Sequence, residues 1–194
     1  MQFPVPRGVF VMTNEVNFCD GYNDAVSNRS EFPLGQGFIS LNSEHPSWSA
    51  DVLISIEQNP TNFSVFNQSL TGVELPFAVP IFKASGEGLA CIAIDIGNLG
   101  IPGVGDGSNV TIQVQFNGGD GNLFQCADLT LSSSFTIPSD VNCTHLVSNT
   151  TVSNSSSTAT STSSTSTSSN GALSLLAGNS GFFGLIVAGI LSFL

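Results

Sequence analysis

Val110-Thr111-Ile112-Gln113-Val114-Gln115-Phe116 alternates apolar and polar residues without a break. A period of two places Val110, Ile112, Val114 and Phe116 on one face, with the threonine and glutamines on the other, which is the pattern of a half-buried β-strand. Residues 37–41, 52–56, 89–96 and 122–131 also read as strands. Residues 75–82 are a weaker case, because Pro76 and Pro80 confine such a run to a sheet edge or a bulge. Glycine-rich stretches at 97–107 and 118–121 punctuate these runs. No helical period of useful length precedes the C-terminal tail. About seven short strands separated by turn signals predict an all-β, immunoglobulin-like or fibronectin-like sandwich over residues 1–147.

The rest of the chain cannot share that core. Residues 148–170 are almost entirely Ser, Thr and Asn, which predicts an extended, disordered, O-glycosylated stalk. Asn170-Gly171-Ala172 then offers small residues, and Phe182 to Leu194 is an uncharged apolar run. That run is shorter than the roughly 20 residues a membrane-spanning helix needs. Small residues, a spacer and a short greasy tail form a GPI-anchor signal, here spanning 171–194 with Asn170 as attachment residue. The expected location is the outer face of the plasma membrane or the cell wall.

Charge narrows the partners. Arg7, Arg29 and Lys83 are the only strong cations against 14 carboxylates, for a net charge of -11. Such a chain repels nucleic acid, so no nucleic-acid partner is expected. A monomer is expected. Cys19, Cys91, Cys126 and Cys143 contain no Cys-x-x-Cys spacing, so two disulfides are expected, with the pairing open. Sequons stand at Asn28, Asn62, Asn67, Asn109, Asn142, Asn149 and Asn154. These features all require secretion, yet Met1 to Arg7 has no basic start, apolar stretch or cleavage site. The expectation is therefore a signal peptide encoded upstream of Met1.

Few residues could carry chemistry. His45 lies in Asn42-Ser43-Glu44-His45-Pro46-Ser47-Trp48, in a loop just past a strand, where an imidazole could bind metal or serve only as a structural group beside Trp48. Glu44, next to His45, reads either as a partner that supports the imidazole or, by preference, as a surface charge. Asp120 lies in Gly118-Gly119-Asp120-Gly121-Asn122, which taken alone is an ordinary hairpin turn. Asp128 falls inside a strand and, if buried, needs a backbone N–H or an arginine as partner. His145 reads as solvated at the edge of the stalk. No nucleophile elbow, phosphate loop or His-Glu-x-x-His sequence occurs.

Taken in order, five segments resemble the fungal copper acquisition factors, GPI-anchored copper proteins related to lytic polysaccharide monooxygenases. They are Phe3-Pro4-Val5-Pro6-Arg7-Gly8, Phe18-Cys19-Asp20-Gly21, Asn28-Arg29-Ser30-Glu31-Phe32-Pro33-Leu34, the His45 segment, and Asp120-Gly121-Asn122-Leu123-Phe124-Gln125-Cys126-Ala127-Asp128-Leu129. The resemblance implies a secreted β-sandwich binding one Cu2+ ion through an N-terminal His, a second His and an Asp. The second His matches His45 and the Asp matches Asp120, with Asp128 as the alternative. The N-terminal His has no counterpart here and would fall a few residues before Met1. A Phe stands at position 124, where relatives often carry Tyr. An N-terminal His gives two nitrogens, since its α-amine titrates at about 7.7–8.0 and yields its proton readily to a metal. The implied function is copper capture at the cell surface, for uptake through a plasma-membrane importer or for homeostasis, without polysaccharide cleavage. The competing expectations are a copper-dependent polysaccharide monooxygenase and a metal-free wall glycoprotein.

Overall fold

The computed structural model describes residues 1–141, 143, 146 and 147. The expected stalk, the anchor signal with Asn170, His145, and the sequons at Asn142, Asn149 and Asn154 lie outside the described residues. The described chain is all-β. Its strands are β1 (Ser30–Pro33), β2 (Gln36–Ser43), β3 (Ser47–Ser55), β4 (Val79–Ser85), β5 (Gly88–Asp95), β6 (Asn109–Asn117), β7 (Asn122–Ser132) and the short β8 (Leu146–Val147). They form two sheets, of order β1-β7-β6-β3-β4 and β2-β5-β8. Two pairs, β1/β7 and β5/β8, run parallel, and the other pairs are antiparallel.

The period-two reading holds where it was strongest. Val110, Ile112, Val114 and Phe116 of β6 are buried in one core with Ala50, Val52 and Ile54 of β3 and Ala127, Leu129 and Leu131 of β7. Ile39 and Leu41 of β2 and Ala90, Ile92 and Ile94 of β5 complete it from the second sheet. Two such inward faces interleaved are what a sandwich requires. β3 begins at Ser47, well before the expected 52, because Ser47, Ser49 and Asp51 alternate with Trp48 and Ala50 and hide an apolar face. The run expected at 75–82 becomes β4 at Val79–Ser85. It lies at the edge of its sheet, where Pro80 can be tolerated.

The expectation for the polar face of β6 needs correction. Thr111 and Gln113 are buried as deeply as the apolar residues beside them. Residues 7–29 and a turn at Phe63–Phe66 cover this outer face, and Phe18, Cys19, Val65, Phe66 and Cys126 make a second, smaller core there. The open cysteine pairing is resolved: Cys19 bonds Cys126, fastening this cover to β7, and Cys91 bonds Cys143. Asp20 helps shape the cover, since its Oδ2 accepts the Val11 N–H at 2.8 Å.

Candidate metal centre

The register of β3 and β6 brings the site together. Ser49 pairs with Asn117 in an antiparallel ladder, so the chain leading into β3 runs alongside the chain leaving β6. The first carries His45 and the second carries the four-residue turn before Asn122. His45 Nε2 and Asp120 Oδ2 are 3.7 Å apart. Their side chains are 33% and 73% exposed, so both are open to solvent.

Each partner is held by local chemistry. Ser43 Oγ accepts the His45 N–H and donates to the His45 carbonyl, each at 3.2 Å, closing the bend after β2. The Pro46 carbonyl accepts the Gly86 N–H at 2.9 Å, and Trp48 Nε1 donates to the Gly86 carbonyl at 3.1 Å. The His45 ring lies 5.9 Å from the Phe116 ring, which in turn stacks on Trp48 at 5.2 Å. On the opposite turn, Asn117 Oδ1 accepts the Gly119 N–H at 2.7 Å and its Nδ2 donates to Asn122 Oδ1 at 2.6 Å. Gly119 (φ 106°) and Gly121 (φ 139°) adopt the left-handed backbone that lets the turn close. Phe116 was not recognisable as a neighbour of His45 from sequence, where it read only as an inward strand residue.

Asp128 has a different role. Its Oδ2 accepts from Arg7 Nε at 2.9 Å and the Val26 N–H at 3.0 Å. Its Oδ1 accepts from Thr111 Oγ1 at 2.6 Å and Arg7 Nη2 at 3.1 Å. Arg29 Nη1 lies 3.9 Å away. The side chains of Asp128 and Arg7 are 0% and 1% exposed. The arginine and backbone partner anticipated for a buried Asp128 are therefore both present, and its oxygens are committed within the fold. Burial lowers the pKa of Arg29, an effect that Asp128 partly offsets.

The other expected positions are distributed over the surface. Glu44 is exposed. Asn28, Asn62 and Asn67 are also exposed, whereas Asn109 is half-buried and its side chain is engaged by Thr130 and Gln58. Phe124 makes an edge contact with Phe63, and its N–H donates to the Glu15 carbonyl at 2.8 Å.

As a donor set, the His45–Asp120 pair suits a small cation. Two donors each about 2.0–2.2 Å from a shared ion can lie 3.7 Å apart. An imidazole nitrogen with a carboxylate oxygen is a combination that copper(II) binds well, above zinc in the usual affinity order. Among the described residues no third His, Cys, Asp or Glu joins them. The first residues lie beside β2. Phe3 bridges Ser40 antiparallel, with Ser40 N–H donating to the Phe3 carbonyl at 2.8 Å. The Met1 α-amino group donates to Gln125 Oε1, and burial lowers its pKa, with Asp20 opposing that shift.

A family model described as Copper acquisition factor BIM1-like matches residues 1–152. The chain is 41% identical over 145 residues to Copper acquisition factor BIM1 of Cryptococcus neoformans var. grubii, covering 75% of this chain and 65% of that protein. It is 41% identical over 150 residues to the protein of the same name in Cryptococcus neoformans var. neoformans, covering 77% and 67%. An uncharacterized protein of Aspergillus fumigatus is 30% identical over 152 residues, covering 75% and 57%. The matched segment thus spans about two thirds of the two relatives that carry a name. The chain belongs to the copper acquisition factor BIM1-like family.

Proposed function

We propose that this protein captures copper(II) at the outer surface of the cell and holds it as cargo for uptake or buffering, without oxidising a substrate. The observation that carries the reading is the approach of His45 Nε2 and Asp120 Oδ2 on two tied-down turns of a chain from this family. The imidazole is a donor that copper shares with zinc, iron and nickel, and copper(II) leads that group in affinity. The carboxylate adds negative charge, which favours the divalent ion over the monovalent one. That preference suits retention better than redox cycling, and it favours copper holding over polysaccharide oxidation. A histidine ahead of Met1 would add its ring and its α-amine to the pair.

The surface location rests on the composition of the C-terminal segment. A Ser/Thr-rich stalk and GPI anchor would present the sandwich beyond the membrane, and exposed Asn28, Asn62 and Asn67 would accept glycans without disturbing it. A plasma-membrane copper importer is the expected acceptor.

Copper(II) titration followed by electron paramagnetic resonance tests the reading, using both the chain itself and a version extended ahead of Met1 to begin with histidine. The extended protein is expected to bind one ion more tightly than the unextended one. His45→Ala is expected to weaken its binding by more than about 100-fold, because losing even an outer partner of a metal ligand costs about 10–100-fold. Asp120→Asn should weaken binding by about 10-fold or more, with a changed spectrum. Neither change should lower thermal stability appreciably, since both side chains are solvent-accessible. Wild-type affinity in His45→Ala would remove this pair from copper binding. Oxidised sugar products formed with reductant present would favour the monooxygenase reading instead.

A further inference from the structure

A side chain on Gly118 would collide with the His45 ring unless that ring moved. A Cβ built there would lie 2.4 Å from His45 Cγ and 2.5 Å from both Cδ2 and Nδ1. Those three atoms belong to the near part of the imidazole, so the ring occupies the space that a Cβ at 118 would fill. Gly119 and Gly121 have positive φ, but Gly118 does not. The turn therefore does not demand glycine at 118 on conformational grounds, and what glycine supplies there is space. Phe116 borders the same ring, and Asn117 bonds the N–H of Gly119 on the far side of the turn.

We propose that Gly118 is a positioning residue for metal capture: its bare backbone is the seat that sets the plane of the His45 imidazole so that Nε2 faces Asp120. The proposal rests on the copper reading of the His45–Asp120 pair. An alanine at 118 would force the ring back by about 1 Å to restore ordinary contact, beyond the roughly 0.5 Å within which a preorganised site works. The donor separation of 3.7 Å would change with it.

The test uses the full chain extended ahead of Met1 to begin with histidine, with Cu(II) as the ligand. Three variants are compared with the parent: Gly118→Ala, His45→Ala and the double variant. Gly118→Ala is expected to lose at least tenfold in copper affinity and to shift the parallel hyperfine coupling. In the metal-free protein it should move the His45 imidazole resonances in nuclear magnetic resonance spectra. In the His45→Ala background the added methyl meets no ring, so Gly118→Ala should change neither copper affinity nor thermal midpoint. Parental affinity, hyperfine coupling and imidazole resonances in Gly118→Ala, with copper lost in His45→Ala, would overturn the proposal and leave the copper reading intact. Unfolding of both Gly118→Ala and the double variant would also overturn it, because the glycine would then serve the turn and not the ring. Parental copper binding by His45→Ala would sink the copper reading and this inference together.

Discussion

Asp128→Ala is expected to cost about 3–5 kcal/mol of folding stability, the usual consequence of removing one partner from a buried ion pair. The magnitude follows from what the carboxylate leaves behind. The Arg7 guanidinium is 1% exposed and would keep its charge in the interior. Its Nη1 donates to the carbonyls of Tyr22, Asn23 and Pro60, at 3.1, 3.2 and 3.2 Å, but none of these carries the neutralising charge. The Thr111 hydroxyl and the Val26 N–H would lose an acceptor as well. Against a typical domain stability of about 5–15 kcal/mol, such a loss is large. Asp128→Asn keeps the shape but not the charge, and is the variant to use if the alanine form does not fold. Guanidinium unfolding should show a lower midpoint with an unchanged slope. The folded fraction should bind copper as the parent does. Lost copper affinity with parental stability would return Asp128 to the ligand set.

That node explains how much of the molecule could be read in advance. Strands whose apolar residues alternate cleanly, such as β6, were legible because one buried face imposes a period of two. The outer face of the same strand was not, because Thr111 and Gln113 look like solvent-facing residues until a second layer is known to cover them. The signal for that layer was present in Arg7, one of only three strong cations in the chain, and in Asp128 in mid-strand. Nothing local links positions 121 residues apart. The cysteine pairing escaped for the same reason, since Cys19 and Cys126 are separated by 107 residues. At the candidate site the resemblance pointed to His45 and Asp120, while spacing alone left both as ordinary loop residues. Their approach depends on the Ser49–Asn117 register, a tertiary fact. Gly118 could not be separated from its neighbouring glycines, because the feature that distinguishes it is a ring arriving from another strand pair.

Asp51→Asn is expected to stabilise the protein at pH 7 by about 2 kcal/mol and to have almost no effect at pH 4. Asp51 sits in β3 opposite Gln115. On its other side the ladder with β4 shifts register between Ala50 and Val52, so Pro80, which has no N–H to give, and Ile81 lie across from it. The residue is 5% exposed, and its Oδ1 has no hydrogen-bond partner among the described residues. Burial alone raises its pKa from 3.8 to about 6. The folded state therefore holds this proton more tightly than the unfolded chain does. Stability is greatest below about pH 4, falls as pH rises through the interval from 3.8 to about 6, and stays at its lower value above it. A shift of that size is worth at most about 3 kcal/mol, at about 1.4 kcal/mol per pH unit. Asparagine carries no charge at any pH, so the decline should vanish, although its amide introduces donors that also lack partners and returns part of the gain. Urea midpoints measured from pH 4 to 7.5 decide the matter. The two proteins should agree at the acid end and separate across the titration, with the variant higher. Parallel curves would mean that water reaches the carboxylate and that its ionisation is not opposed by the fold. A destabilised variant at every pH would mean that the charged oxygen has a partner that the amide cannot replace.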